Sequence, residues 1–374
     1  MLRARLLVVA GALLLLAAEA ASVGVAVNLD SVMRLTFECN AEILTARERV
    51  NESQIALDAA LQSCIPEMFR KDTFKTPVAE TTVWRRRIEL RQKELEILQD
   101  ASNTYFDWLT AQRGEAVARD LLNYEEKLLV LVEKVAKNEP PVQVVVEATK
   151  TAVTGRQQYI LHTHQQSEAV VAKLVYLLGM NGGILTPTET LEPMNRVDMT
   201  VPVEVLVRQA QENGPGVREM QGLIASIQRS IAEACRAQRR CACTGAPMVC
   251  GRLQMAQSQL QQARLSLLNL QLKLQAGIEE AFTAIFSGRE QMELASKAID
   301  YAAETYRRME KRLPPNVNPE TAIRNNAFDG VLNSIRQLSQ AQSNYLTAVS
   351  NYDKAQIQLL LLLGTYTTCP ANVH

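Results

Sequence analysis

Apolar residues recur along this chain at three- and four-residue intervals with few interruptions, the spacing that lines one face of an α-helix. Leu253, Ala256, Leu260, Ala263, Leu267, Leu270 and Leu274 alternate steps of three and four, and Ile278, Ala281 and Ile285 resume the pattern after one extra residue. Such a run is a coiled-coil seam with a stutter. A second track, Val331, Ile335, Leu338, Tyr345, Val349, Tyr352 and Leu359, with Ala341, Ala348 and Ala355 beside it, supplies a partner helix. Val117, Leu121, Tyr124, Leu128, Leu131 and Val135 repeat the design earlier in the chain. Prolines forbid continuation at Asn138-Glu139-Pro140-Pro141 and at Leu313-Pro314-Pro315-Asn316, which therefore read as hairpin tips. From Thr81 to Asn138 the pattern predicts one helix of about 58 residues, roughly 85 Å at 1.5 Å per residue. An element of that length belongs to a rod, a bundle or a tube.

The pattern occurs twice. Offsetting the chain by 174 lays Leu29-Asp30-Ser31-Val32-Met33-Arg34 over Val203-Glu204-Val205-Leu206-Val207-Arg208, and Glu38 over Glu212. Each half closes alike, on Leu177-Leu178-Gly179 and on Leu362-Leu363-Gly364, glycines placed to terminate helices. The chain is an internal duplication of a helical unit. Ahead of it, Arg3 and Arg5, an apolar run of about 11 residues and Ala18-Glu19-Ala20 make a cleavable secretory signal; the run falls short of the roughly 20 residues that span a bilayer. The expected organisation is a signal over 1–20, a first helical repeat over 21–180, a connecting segment over 181–200 marked by Gly182, Gly183, Pro187 and Pro193, a second repeat over 201–364, and a tail over 365–374.

Composition narrows the function classes. Forty acidic and forty basic residues give zero formal charge, so no bulk field attracts nucleic acid, and no nucleic-acid partner is expected. Glutamine and asparagine crowd the faces beside the seam, as in Gln254, Gln257, Gln261, Gln262, Asn269 and Gln271, which suits either a solvated outer face or the wet interior of a tube. His162 and His164 lie two apart on a helix and point to opposite sides, so they cannot share a metal as an i, i+4 pair could. No phosphate-binding glycine loop and no nucleophile–base–orienter set is present, so neither an enzyme nor a cofactor is expected.

Two windows between the shorter and longer helices carry the remaining chemistry. Cys235, Cys241, Cys243 and Cys250 match no paired zinc spacing; disulfides are the default in an exported protein, with free thiols and a metal site as alternatives. Cys39, Cys64 and Cys369 bring the total to seven, so one thiol is left over or shared between chains, and a Cys64 to Cys235 bridge is one open pairing. The same windows hold Arg85, Arg86, Arg87, Arg236, Arg239 and Arg240, which are either ordinary charged helix ends or a basic pole facing anionic lipid headgroups.

Several segments resemble one family. Asp329-Gly330-Val331-Leu332-Asn333-Ser334, Gln340-Ala341-Gln342-Ser343-Asn344-Tyr345 and Tyr352-Asp353-Lys354-Ala355-Gln356 look like the last helix of TolC-type outer-membrane efflux proteins. The stretch Asn103-Thr104-Tyr105-Phe106-Asp107-Trp108-Leu109 looks like that family's first long helix, and Asn213-Gly214-Pro215-Gly216-Val217 fits the opening of its second half. What the resemblance implies is an all-α protomer of two long antiparallel coiled-coil hairpins, three copies of which form an α-barrel across the periplasm. Such a homotrimer would be a passive duct in a tripartite efflux or type I secretion system, carrying small molecules or polypeptides. An adaptor protein and an inner-membrane transporter would meet it at the tips, here Asn138, Glu139, Pro140, Pro141, Pro314, Pro315, Asn316, Glu320 and Asp329. The family also threads membrane β-strands through the two windows, each about 9 to 11 alternating residues long. Residues 64–83 and 235–250 show neither the length nor the alternation, so the barrel is expected to be vestigial or absent. That departure sustains a second reading, a barrel-less periplasmic scaffold or spacer at the outer-membrane surface.

Overall fold

A computed structural model of the chain describes residues 24–62, 75–136, 143–240, 246–313 and 327–366. Among these are eight helices: α1 (Leu29–Cys39), α2 (Ala41–Gln62), α3 (Lys75–Ala136), α4 (Gln143–Leu177), α5 (Val203–Asn213), α6 (Val217–Arg240), α7 (Ala246–Lys311) and α8 (Ala327–Leu362). The duplication is visible in their bounds, since α1 and α5 are each 11 residues long and lie 174 positions apart. Helices α3 and α7, of 62 and 66 residues, run about 93 and 99 Å. Helix α3 starts six residues ahead of Thr81, with Pro77 inside its first turn, where backbone N–H groups have no intrahelical acceptor to lose.

The long helices lie side by side in the order α4, α3, α8, α7, while α2 and α6 pack along the upper parts of α3 and α7. Packing is distributed along the rod in three clusters. One near the pole joins Ile88 to Met220, Leu223, Ile227 and Ala263. The largest, at mid-height, surrounds Tyr105, Trp108, Leu174, Ile278, Val349 and Ile357. The third, toward the tips, holds Leu121, Leu128, Val132, Phe328 and Ile335, with the Tyr124 and Tyr306 rings 5.0 Å apart. The predicted seams are the packed faces, with Ala263, Leu274, Ile278, Ala281 and Ile285 buried on α7. One position departs: Leu131 is 41% exposed and Val132 fully buried, because the seam of a straight α-helix drifts against a strict heptad and the inward face has moved on by one residue.

Both repeats close on a left-handed glycine, Gly179 at φ 65° and Gly364 at φ 73°. Gly179 lies so close to the end of α1 that a Cβ there would sit 2.2 Å from the Cys39 carbonyl oxygen. Asn40 completes that corner: its side-chain oxygen accepts from the Glu42 and Ile43 amides at the start of α2, and its Nδ2 donates to the Leu177 carbonyl at 2.9 Å. The connecting segment carries a feature that helical periodicity cannot announce. Val25–Val27 (β1) pairs in parallel with Leu185–Pro187 (β2), a three-residue ladder tying the start of the first repeat to the linker.

Of the two windows, residues 75–83, 235–240 and 246–250 are helical. Within them, 64–74 and 241–245 lie outside the described residues, eleven and five positions, where a hairpin of two membrane-spanning strands needs about 18 to 22. No described helix is long and apolar enough to cross a membrane.

Candidate functional site

A layer of long helical hairpins presents its lateral edges, its ends and whatever holds the hairpins at a fixed spacing. The edges are α4 and α7. Helix α7 buries its seam against α8 yet leaves a second stripe, Leu265, Leu268 and Leu272, more than half exposed, and Phe286, Leu294 and Tyr301 continue the exposed apolar surface toward the tip. On α4, Tyr159, Leu161 and Tyr176 are similarly uncovered. Helix α8, with a neighbour on each side, has 18 buried residues.

Between α4 and α8, with α3 as its floor, runs a groove of about 510 Å³. Small residues make it: Ala111, Gly114 and Ala118 on α3, Thr163 and Ala169 on α4, Ser339 and Ser343 on α8. Arg156 crosses its lower end. The guanidinium pairs with Glu125 on α3 at 3.0 Å and donates to the Ser339 hydroxyl of α8 at 2.8 Å, so one α4 side chain ties three helices together. Glu125 is only 2% exposed, and its charge is tolerable there because both carboxylate oxygens meet the same guanidinium.

At mid-height residues 188–200 cross the helices as a strap. The Glu189 carboxylate accepts from the Leu29 amide at the head of α1 and from the Tyr105 hydroxyl on α3. Farther on, α8 grips the strap by its backbone. Asp353 Oδ1 accepts from the Met194 amide at 2.9 Å; one helical turn on, Gln356 accepts from the Arg196 amide and donates to the Met194 carbonyl, each at 2.9 Å. The Arg196 side chain then reaches Asp30 on α1 at 2.7 Å and the Tyr366 hydroxyl beyond the end of α8. The hydrogen bond from Arg196 holds the Asp30 carboxyl below its ordinary range, against the opposing effect of burial. Asp353 goes the other way: burial pushes its carboxyl up to about 7, against the Met194 amide and the Arg196 charge. Its second oxygen, Oδ2, is fully buried and has no hydrogen-bond partner among the described residues.

The residues singled out in the sequence divide three ways. At the tips, Asp329 is exposed in the first turn of α8, and Asn138, Glu139, Pro140, Pro141, Pro314, Pro315, Asn316 and Glu320 lie outside the described residues. At the pole, Arg85 and Arg236 are exposed, Arg86 pairs with Glu89 at 2.6 Å, and Arg87 stacks over the Trp84 ring at 4.9 Å. Arg239 and Arg240 belong to the last turn of α6, and their side chains lie outside the described set. Cys39 and Cys235 carry free thiols; Cys64, Cys241, Cys243 and the Cys250 side chain lie outside the described residues. His164 faces Glu115 and Glu168 at 3.5 Å on the surface. Sequence reasoning missed the strap. The available signal was Gln356, a polar residue in step with the apolar track of Val349, Tyr352 and Leu359, with Asp353 one turn before it.

No family model and no curated protein matches the sequence. Solved structures do match, nearly end to end. The chain is similar to a membrane protein from Pseudomonas aeruginosa, with 10% identity, a TM-score of 0.74, and 92% of each chain covered. It is also similar to the CmeC outer membrane channel of Campylobacter jejuni, with 9% identity and a TM-score of 0.69 over 90% of this chain and 85% of that one. The open state of the MtrE outer membrane channel of Neisseria gonorrhoeae follows, at 12% identity and 0.67 over 90% and 88%. The fold is therefore that of an outer-membrane channel protomer. The likeness to TolC-type channels read from the sequence holds at the level of the fold, with the membrane strands reduced.

Proposed function

We propose that this chain is a passive duct component of a tripartite efflux or type I secretion assembly. Copies associate edge to edge, α7 of one protomer against α4 of the next, into a homotrimeric helical tube in the periplasm at the outer membrane. The observation that carries this reading is the near end-to-end match to outer-membrane channels. It is supported by the uncovered apolar stripes on the two edge helices, which a lone protomer leaves in water. The tips around Glu139 and Glu320 would meet an adaptor protein and, through it, an inner-membrane transporter. Small molecules or polypeptides would pass through without chemistry.

The short windows favour a second reading, in which the tube is a barrel-less scaffold resting against the membrane and the route through the lipid belongs to another component. Alkaline-carbonate extraction of outer membranes, followed by immunoblotting, separates the two. Retention in the pellet supports a duct that crosses the membrane. Release into the supernatant supports the peripheral scaffold.

A further inference from the structure

We infer that residues 188–200 form a proton-sensitive strap, held tightly on α8 while Asp353 is protonated and released more readily once that buried carboxyl is ionised.

Asp353 is 1% exposed and makes its bond to the strap through one oxygen only. Oδ1 accepts from the Met194 amide, and at 3.5 Å from Gln356 Nε2, whether the carboxyl is neutral or ionised; the bond is stronger to the carboxylate, but burial outweighs that gain. Oδ2 has no partner among the described residues, so in the ionised form much of the charge rests on an oxygen that neither water nor a donor reaches. Protonation removes that charge and keeps the Met194 bond. Lifting the strap is the other remedy, because the Met194 amide leaves with it and water can take its place.

The charged groups around the strap are otherwise engaged: Glu189 accepts from the Leu29 amide and the Tyr105 hydroxyl. Arg196, on the strap itself, is committed to Asp30 and Tyr366. Lys354, the next residue on α8, pairs with Asp107 of α3, and Arg289 of α7 lies beside Tyr352. Asp30 titrates below the ordinary carboxylate range, and the hydroxyls of Tyr105 and Tyr366 are pushed above theirs, chiefly by burial. The sign follows from linkage. With the closed-strap value near 7 and the open-strap value near the ordinary 3.8, the closed form binds the proton more tightly. Its extra stability is complete below 3.8, is lost as pH rises toward 7, and stays lost above. Between those limits the open population grows about tenfold per pH unit. The return helix of the second repeat is thereby tied to α1 and α3 more firmly in acid than at neutral pH.

Hydrogen exchange of the full-length protein, corrected for the intrinsic pH dependence of exchange, tests this at the Met194 and Arg196 amides. Between pH 5 and pH 7 their protection should fall about tenfold per unit and then level off, while Asp353→Asn should show a flat profile over the same range. Protection in the wild type that does not change with pH overturns the inference, and it does so without reliance on any variant. A slope that persists in Asp353→Asn overturns it too, as does an equal slope at core amides of α3 such as Leu109, which would report global unfolding.

Discussion

Helices α4 and α8 occupy the same place in the duplicated unit and have almost the same length, 35 and 36 residues, yet they live in different surroundings. Helix α8 lies between α7 and α3 and is grasped by the strap; α4 has α3 along one side and only a light contact with α8. Their sequences differ accordingly. Buried positions on α8 fall on both flanks, and Tyr352, Asp353, Ala355, Gln356 and Ile357 are all covered within a turn and a half. On α4 the buried residues reduce to a single thin row, Val146, Thr149, Val153, Thr163, Ser167, Leu174 and Leu177, three of the seven polar. Duplication thus copied the element, and position in the layer then set how much of it must be apolar. An end helix of an open layer is left with one face uncovered.

The largest effect is expected in the core. Ile357→Ala removes a fully buried side chain from the face α8 turns to the mid-height cluster and should cost about 2 to 5 kcal/mol, read from chemical denaturation. Next come the glycines that end the two helices. Gly179→Ala meets both a left-handed backbone and the Cys39 carbonyl, and should cost more than the roughly 1 kcal/mol of conformational strain alone. Gly364→Ala meets only the strain, since its nearest neighbours are 3.8 Å from the added carbon. Equal losses at the two sites would mean that the corners are not packed as described. Asn40→Ala, which removes the cap of α2 and the tie to Leu177, should cost about 0.5 to 2 kcal/mol. The second repeat has Gly214 at the matching position and depends on no such side chain. The smallest effect is expected on the edge: Leu161→Ala on α4 should change protomer stability by no more than about 0.5 kcal/mol. The paired change Leu268→Glu with Leu272→Glu on α7 should likewise leave the protomer folded while shifting sedimentation toward the single chain. Unchanged sedimentation would remove the edge-to-edge reading of those stripes.

Read along the chain, the helices were almost fully legible. A period of three and four, sustained over dozens of residues, admits one regular structure, and prolines and glycines mark where it stops. Leu131 shows the limit of that reading, because a slow drift of the seam decides between adjacent residues and only the packed partner records it. The reduction of the membrane strands was legible for the same reason as the helices, since too few alternating residues were available in either window. The basic windows were legible as charge but not as surface. Arg86 and Arg87 are engaged by Glu89 and Trp84, neighbours on their own helix whose rotamers no spacing rule fixes.

The periodic part, then, is written in the residue order: two repeats, long hairpins, and a fold resembling a known family of channels. Those follow from local rules that act within a few residues. Tertiary structure decided which helices are central and which are edges, and how the repeats are joined. The strap depends on Glu189, Met194 and Arg196 meeting Asp30, Tyr105, Asp353 and Gln356, partners between 84 and 166 positions apart. A buried carboxyl with one oxygen satisfied and one stranded exists only once those distant segments have closed over it, because desolvation is a property of the assembled surroundings and not of the residue.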